Sequence, residues 1–152
     1  MRHQSLAVLA LAGSLWTSPA LAQSGSPALT PTGLTRIVLI RIKPGKAPDF
    51  WNDMRQHLKP IYDEEVKRGI LTSWGLETKV TSDSENDWSV VLGLTYKNYA
   101  ALDNLGALTD PITLAHYGSM EKRTAQTMLR GDYATIVQSF LLRNQTVNEW
   151  KP

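Results

Sequence analysis

Four segments of this chain have hydrophobic patterns typical of β-strands: two alternate hydrophobic with polar residues, and two carry apolar residues on both faces. The alternation, together with β-branched runs, predicts strands over residues 35–43, 70–80, 88–96 and 133–143. The second and third segments are joined by a polar loop, which predicts an antiparallel hairpin. The first and last segments carry apolar residues on both alternating faces, a pattern typical of strands that are covered on both sides.

Apolar residues recur at helical spacing in two further segments. The first predicted helix covers residues 48–66 and begins with a proline, which a first turn tolerates. Pro60 lies inside this helix and removes one backbone hydrogen bond, so we expect a kink or a break there. Asn98 is predicted to cap a helix that carries Tyr99, Leu102 and Leu105, and the second long helix is predicted from Asp110 to a stop at Gly131.

The resulting order β-α-β-β-α-β predicts a single α+β domain of the ferredoxin-like type over residues 34–143. In this arrangement a four-stranded antiparallel sheet has its helices on one face and leaves the other face to water. The apolar residues on both sides of the first and last strands do not fit a wet face, so something must cover it. The economical cover is the same sheet of a second copy, which predicts a homodimer.

The first 22 residues have the three parts of a secretory signal peptide in the required order. A basic start precedes an apolar run over residues 6–16, and the segment ends in the small-residue sequence Ala20-Leu21-Ala22. The apolar run is shorter than the roughly 20 residues that a membrane-spanning helix needs. We therefore expect cleavage after Ala22, export to the periplasm or the cell exterior, and no membrane span after cleavage. The alternative is an uncleaved N-terminal anchor.

Charge and cysteine content narrow the range of partners. Loss of Arg2 with the signal peptide leaves 15 of the 16 basic residues against 14 acidic ones, a mature charge of +1. This balance argues against nucleic acid or an acidic membrane as the main partner. The sequence contains no cysteine, which excludes disulfides and thiolate metal sites. Residues 23–33 are rich in Ser, Pro and Gly and predict a flexible leader, and residues 144–152 predict a polar tail.

Two segments give the sequence a resemblance to a known superfamily. They are Arg-Ile-Lys-Pro-Gly-Lys over residues 41–46, before the first helix, and Tyr-Lys-Asn-Tyr-Ala-Ala-Leu-Asp over residues 96–103, after the third strand. Over residues 35–143 the chain resembles the dimeric α+β barrel superfamily, which includes antibiotic-biosynthesis monooxygenase-like, EthD-like and NIPSNAP-like small proteins. The resemblance implies two sheets facing each other across a homodimer, and a pocket between each sheet and its helices for a small organic ligand.

Two histidines are the candidate catalytic residues. His57 borders the apolar face of the first helix and His116 lies on the rim of the second, where an imidazole can act as a general base or contact a ligand. The alternative for each is a boundary histidine that is hydrogen-bonded to the backbone. The superfamily's cofactor-independent oxygenases use a first-strand asparagine, a tryptophan near the third strand and a histidine on the second helix. Trp88 and His116 match the last two roles, but the first strand has no asparagine.

Four residues are candidates for ligand binding. Arg41 places a guanidinium on a largely apolar strand face, so it needs an anionic ligand group or a carboxylate such as Glu77. Trp74, Trp88 and Tyr62 can line a pocket for a flat ligand, or they can be core and dimer-surface residues. The sequence has no histidine spacing typical of a metal site and no nucleotide-binding or nucleophile-elbow motif, so we expect neither a metal nor a cofactor.

These patterns favour an exported homodimer that binds a small organic ligand in a pocket between sheet and helices. One alternative is a non-catalytic periplasmic interaction or structural module, in which the polar side chains pair with one another. Another is a cofactor-independent monooxygenase or isomerase, in which His57 or His116 moves a proton and Arg41 holds an anionic group. The sequence leaves open whether the protein is an enzyme.

Overall fold

A computed structural model describes residues 27–150 apart from residues 82, 83, 85 and 86. The predicted signal peptide and its cleavage site lie outside these residues. The strands are β1 (Leu29–Ile42), β2 (Ser73–Thr78), β3 (Val90–Tyr96) and β4 (Ala134–Val147). The helices are α1 (Ala47–Asp53), α2 (Lys59–Lys67), α3 (Leu105–Tyr117) and α4 (Met120–Tyr133), with a π-helical turn over Met54–Leu58 and a 3₁₀ turn over Tyr99–Leu102. In this part of the chain, every helix is too short or too polar to cross a membrane.

The four strands form an antiparallel sheet in the order β2-β3-β1-β4. β1 is central: it pairs with β3 from Leu34 opposite Tyr96 to Ile40 opposite Val90, and with β4 on its other side. Helices follow β1 and β3 along the chain, so the connections and the strand order are those of the ferredoxin-like fold. The predicted α+β, ferredoxin-like fold class is confirmed.

β1 and β4 are longer than the sequence predicts. β1 begins at Leu29 rather than at residue 35, and β4 continues to Val147, past the predicted end at residue 143. The extra residues of the two strands pair with each other. Gly33 has a φ of 149°, and a Cβ there would lie 2.8 Å from the carbonyl oxygen of Tyr96. Only glycine fits at this point, where β1 passes close to the end of β3. Residues expected in the leader and in the tail therefore belong to the sheet.

The helical segment α1–α2 contains the irregularity predicted near Pro60, in the form of a π turn. In a regular α-helix the proline ring would meet the carbonyl group four residues earlier. The chain instead widens into the π-helical turn over Met54–Leu58, and Pro60 then lies in the first turn of α2, where a missing N–H donor costs little. The π turn carries His57.

The second helical segment is two helices rather than the single predicted one. α3 begins at residue 105, before the predicted start, and ends at Gly118, which has a φ of 78°. Ser119 then caps α4 by accepting a hydrogen bond from a first-turn N–H. α4 passes the predicted stop at Gly131 and ends two residues later. The Asn98 cap is confirmed, since its side chain accepts a hydrogen bond from the N–H of Ala101.

The hydrophobic core lies between the sheet and the α1–α2 segment. Its buried members come from alternate positions of β1 and β3 and from one helical face, and they include Leu34, Val38, Ile40, Phe50, Met54, Leu71, Val90, Leu92, Leu94 and Tyr96. α3 packs on α2, and α4 packs on α1. The apolar side chains Met120, Met128 and Leu129 of α4 are at least half exposed. The sheet and the first helical segment therefore supply most of the buried apolar surface.

The sheet face that points away from the helices also carries apolar side chains. Ile37 and Leu39 alternate along β1 with residues that face the core, so they project to this open face. Phe140 of β4 pairs with Ile37 and lies on the same face, as does Leu142, which is 48% exposed. The open face thus carries apolar side chains on β1 and β4, as the sequence predicts, beside polar ones such as Thr35 and Gln138.

Candidate functional site

Two grooves open between the helices on the outer side of the molecule. The first groove, about 360 Å³, lies between the α1–α2 segment and α4, and its lining includes Asp53, His57 and Tyr133. The second groove, about 300 Å³, lies between α2 and α3, and its lining includes Glu64 and His116. Both volumes fall near the lower end of the range for small-molecule sites.

An ion pair lies beside the first groove, which its buried member Asp53 lines. Asp53 is 5% exposed, and its two carboxylate oxygens accept hydrogen bonds from Arg130 Nε at 2.9 Å and Nη2 at 3.2 Å. Gln126 donates a further hydrogen bond to Asp53 Oδ1 at 2.8 Å. Burial by itself would raise the pKa of Asp53, but the hydrogen bonds and positive charge of Arg130 outweigh it and hold this pKa below its ordinary value. The carboxylate is therefore ionised at neutral pH and fixed in orientation.

Arg130 extends this network from α1 to α3. Its Nη2 donates a hydrogen bond to the hydroxyl of Tyr117 at 2.6 Å. The Tyr117 ring in turn packs on both histidines, with centroid distances of 5.2 Å to His57 and 4.9 Å to His116. Burial opposes the charge of Arg130, but its bonds to Asp53 and Tyr117 prevail and raise its pKa further above its ordinary value. The ion pair and the histidines therefore belong to one cluster that joins the helices.

The two predicted catalytic histidines contact each other. His57 Nδ1 lies 2.9 Å from His116 Nε2, and the ring planes are 87° apart. A hydrogen bond between two imidazoles needs a proton on one of these nitrogens and a lone pair on the other. Burial, then His57, then Arg130 lower the pKa of His116, since each disfavours a second positive charge. Among the described residues, no group of three or more His, Asp and Glu side chains is placed to hold a metal ion.

Tyr133 contributes a buried hydroxyl to the first groove. The residue is 7% exposed, and its Oη has no hydrogen-bond partner of acceptable geometry among the described residues. Burial, followed by the nearby charge of Asp53, raises the pKa of Tyr133 to about 12, so the hydroxyl stays protonated. An unsatisfied buried hydroxyl costs about 1–3 kcal/mol. The oxygen itself has almost no exposed surface, so it borders the first groove without offering a contact to a ligand there.

Two of the predicted ligand-binding residues lie in the packed layer between sheet and helices. The rings of Tyr62 and Trp74 are 5.5 Å apart, and both pack against the core. Trp74 Nε1 donates a hydrogen bond to Asp63 at 2.9 Å. Burial is the main cause that raises the pKa of Tyr62 to about 12. Both side chains thus lie in the sheet–helix layer in which the sequence predicts a pocket.

The other two predicted ligand-binding residues lie apart from the histidines. Arg41 alternates with Ile40 and Ile42, which face the core, so it projects from the open face of the sheet. Trp88 precedes β3, and Lys79 Nζ lies 4.9 Å from its ring centroid, a cation–π contact. Of the six candidate residues, the structure thus brings His57 and His116 together and leaves the others elsewhere.

Sequence reasoning missed the ion pair and its neighbours, although their spacing carries a signal. Asp53 falls within the apolar stripe of the first helix, next to Met54, and a charge in such a position needs a partner. Gln126, Arg130 and Tyr133 follow one another at intervals of four and three residues, so they share one helical face. The sequence does not show that these two faces meet, because that depends on how α4 docks.

Comparison with known proteins gives structural likenesses only. No protein-family model matches the sequence, and no curated protein matches it significantly. A dimeric protein of unknown function with a ferredoxin-like fold from Bacteroides fragilis is 10% identical, with a TM-score of 0.45 over 74% of this chain and 97% of that one. HapK from Hahella chejuensis is 12% identical, with a TM-score of 0.44 over 78% and 98%. A dimeric ferredoxin-like protein from an uncultured marine organism is 18% identical, with a TM-score of 0.43 over 80% and 100%.

Proposed function

We propose that the mature protein is an exported homodimer that binds a small organic molecule in the first groove. Ligand binding is supported above all by one observation: Asp53, Tyr133 and His57 converge in a groove of about 360 Å³. Export is supported by the signal-peptide pattern of the first 22 residues. Dimer formation is supported by the apolar open face of the sheet.

The lining of the first groove suits a polar ligand. Asp53 is held rigidly by Arg130 and Gln126, so a ligand would not have to order it on binding. His57 offers the ring nitrogen that does not face His116. A ligand with an O–H or N–H group and a small apolar part would fit these groups.

The charges around the first groove favour a neutral or cationic ligand. Three carboxylates, those of Asp49, Asp53 and Asp132, line the groove, and Lys46 is the one lysine among its lining residues. Lys46 is paired with Asp49 at 3.1 Å and Asp53 is paired with Arg130, so the negative charge of Asp132 is the one that these pairs do not offset. The anionic ligand expected from Arg41 is not favoured here, because that guanidinium projects from the opposite face of the sheet.

A second copy of the chain is the cover that best fits the open sheet face. Ile37, Leu39, Phe140 and Leu142 form an apolar strip across the paired strands β1 and β4. Burying such a strip against itself across a two-fold axis stabilises by about 25 cal/mol per Å² of apolar surface removed from water. β4 is also an edge strand, and an exposed apolar edge strand in a soluble protein calls for protection.

A structural or interaction module is the competing function, and one observation favours it. Tyr62 and Trp74 pack against the core in the layer between sheet and helices, where the resembling superfamily has its pocket. In that case the helical grooves would hold only water. The two functions differ in whether the protein purified from its host carries a small molecule in the first groove.

The experiment is to purify the protein from its own host, denature it, and identify released small molecules by liquid chromatography and mass spectrometry. Leu129→Trp tests the location, because Leu129 lines the first groove and indole would fill it. Met128→Trp is the matched control, since Met128 is adjacent, 73% exposed and not among the lining residues. We expect wild type and Met128→Trp to release the same compound and Leu129→Trp to release at least tenfold less. No compound from wild type, or equal release from all three proteins, would contradict the proposal.

A further inference from the structure

The two histidines form the partition between the two grooves. His57 lines the first groove and His116 lines the second, and their rings meet between the α1–α2 segment and α3. Each ring therefore has one nitrogen in the shared hydrogen bond and one that is free of it. The outer nitrogens are His57 Nε2 and His116 Nδ1. This is the geometry of a chain of two acid–base groups with one end toward each groove.

We infer that His57 and His116 form a proton relay that connects the ligand site in the first groove with solvent in the second. The inference rests on the proposed function, which places an organic ligand beside His57. His57 would be the catalytic residue, because it faces the ligand. His116 would be the positioning residue, because it acts through His57.

The transfer balances as the movement of one proton. In the starting state His57 carries the shared proton on its Nδ1, and His116 carries its own proton on its Nδ1. An acidic O–H or N–H of the ligand gives its proton to His57 Nε2, and the bond electrons stay on the ligand. The His57 Nδ1 proton moves to His116 Nε2, and the His116 Nδ1 proton leaves to water. Both rings end neutral, and the reverse sequence restores the first state.

The shared hydrogen bond keeps the pair from holding two extra protons. Arg130 is bonded to Tyr117, which packs on both rings, so a fixed positive charge lies beside the pair. The other charged or titratable groups facing it from the surrounding elements are Lys46, Asp49, Asp53, Asp132 and Tyr133 in the first groove and Glu64 and Arg68 in the second. Two imidazolium ions cannot share a hydrogen bond, because neither has a lone pair to accept it. The relay therefore works with a net charge of zero or one.

The protonation of the two rings can be followed directly by NMR, because the mature chain contains only these two histidines once His3 is removed with the signal peptide. We would record ring ¹H and ¹⁵N spectra of the ligand-free protein across pH 4 to 9. In wild type we expect the pair to titrate in two steps more than about one pH unit apart, with each ring responding to both steps. At neutral pH the nitrogen shifts of both rings should be averages of the two tautomers, because the shared proton moves.

His116→Gln is the diagnostic variant, since glutamine keeps a hydrogen-bonding group but cannot pass a proton. We expect His57 in this protein to titrate in a single step and to occupy one fixed tautomer. His57→Gln, read on His116, gives the same test if the first variant does not fold. Independent titration of the two rings in wild type, or one fixed tautomer for each, would overturn the relay. These spectra need no ligand, so failure of the relay is separable from failure to find a released compound.

Discussion

Replacement of Asp53 by asparagine probes the buried ion pair that holds the helices together. The substitution keeps the size of the side chain but removes the negative charge. It leaves the Arg130 guanidinium without its counter-ion and turns one of the two accepting oxygens into an NH₂ group, which cannot accept from Arg130 or Gln126. Breaking one side of a buried pair costs about 3–5 kcal/mol. The Asp53 side chain is 3% exposed but Arg130 is 25% exposed, so solvent reaches part of the pair and we expect about 3 kcal/mol.

Urea unfolding of the purified protein measures this cost. With a slope of about 1.5 kcal/mol per molar urea, a loss of about 3 kcal/mol lowers the unfolding midpoint by roughly 2 M. Asp49→Asn is the matched control, because Asp49 lies on the same helix in an exposed pair with Lys46, whose side chains are 47% and 52% exposed. That variant should lose about 0.5–1 kcal/mol, from the surface pair and the helix N-terminus. Equal midpoint shifts for the two variants would refute the buried-pair reasoning.

The pH dependence supplies an independent check on Asp53. Its folded-state pKa is lowered from the ordinary 3.8, so its contribution is fully present above that pH and is lost as pH falls through the lowered value. The stability difference between wild type and Asp53→Asn should therefore be constant near neutral pH and shrink below about pH 4. A difference that persisted unchanged at pH 2 would show that it does not come from the ionised carboxylate.

Two further substitutions test other parts of the structure. Glu65 is 6% exposed, and burial raises its pKa above the ordinary 4.5. Glu65→Gln should therefore raise the melting temperature at pH 7, where the buried carboxylate is destabilising, and should have no effect below about pH 4.5. A lower melting temperature at pH 7 would refute this. Leu142→Glu places a charge on the open sheet face twice per dimer, which costs about 4–6 kcal/mol of association and weakens it roughly 1,000-fold or more. Sedimentation equilibrium measures the association, and Leu108→Glu on α3 is the control because Leu108 and Leu142 are both 48% exposed. Equal dissociation of the two variants would argue against the open face as the interface.

Local patterns account for the element types and their order. Alternation in the strand segments and helical spacing around Phe50 and Met54 are properties of the chain itself, so they can be read before any packing is known. The strand ends are different, because residues 29–33 are strand only through their pairing with residues 144–147. The break between α3 and α4 was recognisable in principle, since Gly118 followed by Ser119 combines a helix stop with a helix cap.

The arrangement of the candidate site depends on helix docking more than the types and order of the elements do. His57 and His116 could be chosen from their boundary positions, but their contact requires α3 to lie against the π turn, which no local pattern fixes. Asp53 and Arg130 are separated by 77 residues, and their pairing follows from the packing of α4 on α1. Which side of the sheet a β4 residue faces also depends on pairing. Leu141 pairs with Arg36 and lies on the helix side, whereas its neighbour Leu142 lies on the open face. The bulge near Val137 shifts this register, and the sequence does not show it.

Native mass spectrometry of the intact mature protein, purified gently from its own host, tests the central claim most directly. It counts subunits and bound molecules in one spectrum. The account predicts a dimer that carries up to two equal small organic adducts, one for each first groove. An empty monomer would contradict both the ligand site and the role of the open sheet face.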